Sequence, residues 1–128
     1  MRLIASSSNG ILIVEDDLDI FEIIKLYLHS EGYKVFHAIN EEETELLLNQ
    51  NPVSLVLLDL QLPDASGFDI CVKIRKTFDV PIIFLSGRTE EKIVKKGLEL
   101  GANDYMFKPF IPNELMAKIR NYTNSISS

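Results

Sequence analysis

The stretch Val53 to Gly67, VSLVLLDLQLPDASG, constrains the fold more than any other part of the chain. Val53 to Leu58 is apolar except for Ser54, too continuous for a strand with one wet face and too short for a typical helix. A strand buried on both faces fits that pattern. The run ends on a carboxylate, Asp59, and the breaker-rich Leu62-Pro63-Asp64-Ala65-Ser66-Gly67 follows closely. An acid therefore stands at the rim of a central strand, the carboxyl edge where open α/β sheets bind ligands. Asp also begins many ordinary turns, so the rest of the chain decides between the two roles.

Ile11 to Val14 is a second buried-strand run, and it too ends on acids, Glu15, Asp16 and Asp17. Ile20, Ile23, Ile24, Tyr27 and Leu28 then recur at helical spacing, with Asp17 or Asp19 at the positive end and Gly32 as the stop. Lys34 to Ala38 is a short β-rich segment. Asn40 with Glu43 three residues on forms a capping-box start for a helix running to about Asn49. After Gly67, the positions Phe68, Cys71, Val72 and Ile74 mark a helix ending near Thr77. Pro81 introduces a fourth buried strand, Ile82 to Leu85, which ends in Ser86-Gly87. A helix from about Glu90 to Leu100 contains Gly97, which costs roughly 1 kcal/mol relative to Ala, and it is expected to be the loosest. Tyr105 to Phe107 is a fifth strand ending in Lys108-Pro109, and Pro112 opens a last helix with Leu115, Ile119 and Tyr122 on its inner stripe.

Five alternations of strand and helix, joined by short right-handed crossovers, predict a doubly wound α/β fold. The expected sheet is five-stranded and parallel, flavodoxin-like, with order 2-1-3-4-5, its switch point between the first and third strands, and five helices. That order sets Asp16 beside Asp59. The domain spans 11–122 in this reading, with an N-terminal extension over 1–10 and a tail or linker start over 123–128.

At 128 residues the chain is long enough for one domain with a substantial core. A net charge of −6 argues against nonspecific binding of nucleic acid, which needs clustered Lys and Arg. No apolar run approaches the roughly 20 residues that span a membrane, and Met1 to Asn9 is too short and polar for a secretory signal, so the chain reads as cytoplasmic. The lone Cys71 lies among Phe68, Val72 and Ile74 and reads as a small buried hydrophobe.

The strand ends collect Glu15, Asp16, Asp59, Ser86 and Lys108 around one crevice. Carboxylates about 5 Å apart repel by roughly 3 kcal/mol per pair at an effective dielectric of about 20, so three together call for a cation or a bound proton. The donors are hard oxygens, with no His or second Cys in the crevice, which excludes zinc or copper and favours Mg²⁺ over Ca²⁺. Lys108 adds a positive charge suited to an incoming phosphoryl group, and Ser86 adds a hydroxyl. A carboxylate nucleophile in those surroundings is a phosphoryl acceptor.

The segments ILIVEDD, LLDLQLPDASG, Ser86-Gly87 and GANDYMFKPF, in this order, resemble the receiver domain of bacterial two-component response regulators, from Ile11 to Tyr122. The resemblance implies that Asp59 accepts the phosphoryl group from a sensor histidine kinase. It implies a metal site of Asp16 with Glu15 beside it, Asp59 and the backbone carbonyl of Gln61. Ser86 and Lys108 match the pair that contacts the phosphoryl oxygens, and Tyr105 the aromatic whose rotamer follows Ser86. A cis Lys108-Pro109 bond is implied as well, against a base rate of about 5–6%. Three positions depart from the common pattern: Glu15 in place of Asp, Ser86 in place of Thr, and Ile111 where Ser often caps the last helix.

The C-terminal half, NDYMFKPFIPNELMAKIR, resembles receivers attached to winged-helix DNA-binding domains, whose last two helices and fifth strand form a homodimer face. Lys92, Lys95 and Lys96 with Glu114, Asp104 and Lys118 are candidate cross-interface pairs and equally read as a solvated surface, where exposed pairs contribute little. The chain is expected to be either part of a longer regulator, the favoured reading, or a single-domain receiver, and DNA would be reached only through an effector domain outside this sequence. A haloacid-dehalogenase-like phosphatase would need a second acid two residues after the nucleophile, where Gln61 stands. A histidine phosphotransfer module would need an exposed His on a helical bundle, whereas His29 and His37 read as structural. A degenerate receiver that only binds is excluded by the presence of every required residue.

Overall fold

The computed structural model describes residues 9–123. The first eight residues of the expected extension and the chain beyond Thr123 lie outside the described residues. Five strands alternate with five helices among the described residues: β1 (Gly10–Val14), α1 (Leu18–Ser30), β2 (Lys34–Ala38), α2 (Glu41–Gln50), β3 (Val53–Asp59), α3 (Gly67–Thr77), β4 (Ile82–Ser86), α4 (Glu91–Glu99), β5 (Asp104–Phe107) and α5 (Pro112–Thr123). The strands form one parallel sheet in the order β2-β1-β3-β4-β5. The expected doubly wound topology is therefore the observed one, and β1 begins one residue earlier than expected, at Gly10.

The uninterrupted apolar run in β3 follows from its central place. Leu55 and Leu57 pack with Ile11, Ile13, Ile83 and Met106 under α1 and α5. Val56 and Leu58 face the other way, with Leu12, Val14, Ile82 and Phe84, under α2 and α3. Alternate side chains of one strand thus enter two separate cores, and neither face can carry a polar residue without a partner. Cys71 is fully buried in the second core, as expected.

Helix starts follow the local chemistry. Asp17 caps α1, accepting from the N–H groups of Asp19 and Ile20 at 2.9 and 3.2 Å. Asn40 accepts from the Glu43 N–H at 2.8 Å while the Glu43 carboxylate accepts from the Ile39 N–H at 2.9 Å, a reciprocal cap on α2. Gly32, with φ of 89°, stops α1 in a conformation other residues rarely adopt. The Lys108-Pro109 peptide is cis.

Gly97 has a use that its helix propensity does not show. It is the one buried residue of α4, and a Cβ there would lie 3.0 Å from the Phe84 ring. The missing side chain lets α4 approach the sheet. α4 also lacks a side-chain cap at Glu90.

Gly67 is tighter still. Its N–H donates to the Leu60 carbonyl at 2.8 Å, and a Cβ would meet the Asp59 carbonyl oxygen at 2.5 Å and the Leu60 Cα at 2.7 Å. Backbone cannot yield as a side chain can. Gly67→Ala should therefore lower stability by about 1–3 kcal/mol, the usual cost of overpacking, despite the better helix propensity of Ala; urea denaturation measures it, and an unchanged midpoint would contradict the close approach.

Candidate functional site

The pleat of the sheet sorts the strand-end residues onto two sides. Glu15 follows β1 in phase with Ile11 and Ile13, and Asp59 ends β3 in phase with Leu55 and Leu57, both on the α1/α5 side. Ser86 ends β4 in phase with Ile82 and Phe84, on the opposite side, together with Tyr105. Lys108, one residue beyond β5, reaches back to the acids.

Glu15 is fully buried, and each of its polar groups is partnered. Its N–H donates to the Ala38 carbonyl at 3.1 Å, and its carbonyl lies 2.7 Å from His37 Nε2. Oε2 accepts the Asp17 N–H at 3.2 Å and Oε1 accepts Lys108 Nζ at 2.8 Å. Asp59, 5% exposed, takes the Gln61 N–H on Oδ1 at 3.1 Å and faces Lys108 Nζ with Oδ2 at 3.4 Å. Burial pushes the Glu15 pKa up, the Lys108 hydrogen bond opposes this, and the neighbouring Asp59 adds to the rise. Burial pulls on Lys108 in the direction of losing its charge, but the hydrogen bond to Glu15 and the two acids outweigh it and hold its pKa above the ordinary value. Lys108 is therefore a fixed cation between two carboxylates.

Asp16 is exposed at the mouth of this group. One carboxylate oxygen from each of Glu15, Asp16 and Asp59 lies within 4.8 Å of the others. Three negative charges against the single Lys108 leave a balance of −2, which a divalent cation matches. The donors are all oxygens, so a hard cation such as Mg²⁺ fits and a thiophilic one does not. With Oε1 on Lys108 and Oε2 on a backbone N–H, Glu15 is committed within the protein more than Asp16 is.

On the other side of the sheet, Ser86 is 1% exposed and its Oγ accepts the Arg88 N–H at 3.0 Å. Tyr105, 8% exposed, donates its hydroxyl to the carbonyl of the same Arg88, also at 3.0 Å. Arg88 thus carries both hydroxyls on one backbone unit, and its side chain is paired with Glu90. The Tyr105 ring lies between Phe84 and Phe107, with centroids 6.1 and 5.3 Å away.

The structure draws Glu15, Asp16, Asp59 and Lys108 together as the sequence implied, with Gln61 bonded to Asp59 through its N–H. Ser86 and Tyr105 are joined to each other through Arg88, and the Tyr105 ring is already turned inward. Two candidate interface charges, Asp104 and Lys118, pair within the chain at 3.1 Å, and Lys96 lies 4.8 Å over the Phe68 ring. His37, which reads as structural in the sequence, touches the site through the Glu15 backbone. The signal for it was available: a His near the end of the strand that the 2-1-3-4-5 order pairs with β1.

Residues 11–120 match the family of the response regulator receiver domain. Over 113 residues the chain is 41% identical to the regulatory protein VanR of Enterococcus faecium, covering 88% of this chain and 49% of that protein. It is 38% identical over 113 residues to the transcriptional regulatory protein SrrA of Staphylococcus aureus, covering 88% and 47%. The chain spans about half the length of these curated relatives. A two-component response regulator from Clostridium difficile superposes with a TM-score of 0.90 at 29% identity, covering 94% of this chain and 99% of that one. The receiver domain of the TMAO respiratory system response regulator TorR gives 0.84 at 33% identity, covering 88% and 94%.

The charge balance predicts an unusual sign for one substitution. Without a cation, Asp59 sits against two carboxylates, each repelling it by roughly 3 kcal/mol, and one ammonium attracting it by roughly 5 kcal/mol, at an effective dielectric of about 20. Asp59→Asn should therefore raise stability in the presence of a chelator, by about 1 kcal/mol. Urea midpoints of the two proteins test this, and a lower midpoint for the variant would show that the Lys108 contact outweighs the repulsion.

Proposed function

The chain belongs to the response regulator receiver family, and from that premise we propose that Asp59 accepts a phosphoryl group from the phosphohistidine of a sensor kinase. The supporting observation is the position of its carboxylate: at the end of β3, within the three-acid cluster, with Lys108 Nζ 3.4 Å away. A carboxylate oxygen of Asp59 attacks phosphorus, the bond from phosphorus to the donor nitrogen breaks, and the donor leaves with the electron pair. Small acyl phosphates can serve the same step through their bridging oxygen. The Gln61 N–H and Lys108 orient the nucleophile, and Lys108 meets the added negative charge. Mg²⁺ bound by Glu15, Asp16, Asp59 and the Gln61 carbonyl would supply the remaining charge neutralisation on the transferred group. The chain acts only on its own phosphorylation and dephosphorylation; it turns over no separate substrate.

An apolar groove of about 400 Å³, lined by Ile20, Ile23, Pro109, Phe110 and Pro112, opens beside Lys108. It offers the donor protein a docking face next to the nucleophile. Among the described residues no helix is long and apolar enough to cross a membrane, and we place the domain in the cytoplasm, where a kinase reaches it.

Phosphorylation supplies new acceptor oxygens at Asp59, and only a conformation that uses them is favoured by it. Ser86 is the hydroxyl that gains, and in moving it releases the Arg88 N–H. Arg88 also receives Tyr105, so the loop before α4 and the β5 aromatics respond together. The face of α4, β5 and α5 then pairs two copies, with Phe107 and Ile111, 44% and 58% exposed, as its apolar part. DNA is contacted only through an effector domain attached to this one, and transcription is the output.

Mass measurement after incubation with acetyl phosphate and Mg²⁺ should show one added phosphoryl group on the wild type, labile to hydroxylamine, and none on Asp59→Asn. Equal labelling of both would remove Asp59 from its role. Ser86→Ala should still be labelled, yet show weaker phosphorylation-dependent amide shifts in Tyr105 and residues 90–100; a full wild-type response would mean the hydroxyl is not the relay.

A further inference from the structure

β1 ends at Val14, and only Glu15, Asp16 and Asp17 separate it from α1. Two of these three are candidate cation ligands and the third is the α1 cap. The Asp16 side chain makes no hydrogen bond or ion pair among the described residues, so its direction is set by the backbone on either side. What holds that backbone decides where Asp16 points.

On one side the hold comes from β2. The Glu15 N–H continues the ladder to the Ala38 carbonyl, but the Glu15 carbonyl is taken by a side chain, His37 Nε2, at 2.7 Å. A carbonyl only accepts, so Nε2 is the donor of this bond. The imidazole is stacked on Phe21 of α1, with ring centroids 3.7 Å apart and planes 9° from parallel. One ring therefore ties together the end of β1 and the first turns of α1, the two anchors of the loop that carries Asp16.

We infer that His37 is a positioning residue for the cation site: its Nε2–H donor fixes the Glu15 carbonyl and through it the direction of Asp16. The inference rests on the reading of this cluster as a divalent-cation site. Packing alone would need the ring but not the donor. His37→Phe keeps a flat ring on Phe21 and removes the N–H; His37→Gln removes the ring and keeps an amide donor of similar reach. β2 is an edge strand and His37 is half-buried, so both changes suit the fold.

Mg²⁺ titrations of the unphosphorylated protein, followed by the amide signals of Asp16 and Asp17, give the affinity without any reaction. His37→Phe should weaken Mg²⁺ binding roughly tenfold, as loss of an outer partner of a metal ligand does, and His37→Gln should stay near wild type. With acetyl phosphate, His37→Phe should label slowly at low Mg²⁺ and regain the wild-type rate at saturating Mg²⁺, a recovery that general damage to the fold would not give. Wild-type affinity in His37→Phe, or equal losses in both variants, would overturn the inference. Absence of any Mg²⁺ response in the wild type would instead overturn the cation site itself, and this inference with it.

Discussion

The ammonium of Lys108 is the interaction on which the rest of the site depends. It lies 2.8 Å from a fully buried Glu15 and 3.4 Å from Asp59, in a place where either acid alone would be costly. The arrangement is held at some expense: one cation serves two buried carboxylates, a third acid stands at the mouth, and the surplus of negative charge has no cationic partner among the described residues. A fold optimised for stability alone would replace such a cluster with apolar side chains. Retaining it makes sense if the missing positive charge arrives from outside, as a metal ion.

The scaffold isolates that strain. The two cores on opposite faces of the sheet reach up to the strand ends, so the acids stand on a closely packed base. Glycine marks the places where backbone must come close: Gly67 behind Asp59, and Gly97 over Phe84. Gly67 sets the start of α3 against the backbone of Asp59 and Leu60, and Gly97 sets α4 against Phe84 in the middle of β4.

Much of this was legible in the sequence because burial on both faces leaves a continuous apolar run and each run ended on a polar residue. Val53–Asp59 shows that directly, and the strand order followed from alternation with helices. Three features were not legible. Gly97 reads as a weakness by helix propensity, and its closeness to Phe84 depends on tertiary approach. Ser86 and Asp59 end adjacent strands but differ by one residue in register, Asp59 pairing with Leu85, so the pleat sends their side chains to opposite sides. His37 could be placed beside the end of β1 from the strand order, but its bond to the Glu15 carbonyl and its stack on Phe21 depend on tertiary geometry that sequence does not show.

The sheet order has a consequence for how copies of this domain can meet. Among the described residues the sheet is open, and its two edges belong to β2 and β5. β2 is five residues long and starts on an exposed lysine; β5 is four residues long and is followed within two positions by Pro109, which has no N–H to offer. Short, charged or proline-stopped edges are poor templates for adding another strand. Fusion of two sheets into one continuous ribbon is thereby discouraged, and side-chain surfaces are left as the route to association, which can be made and undone without unravelling either fold.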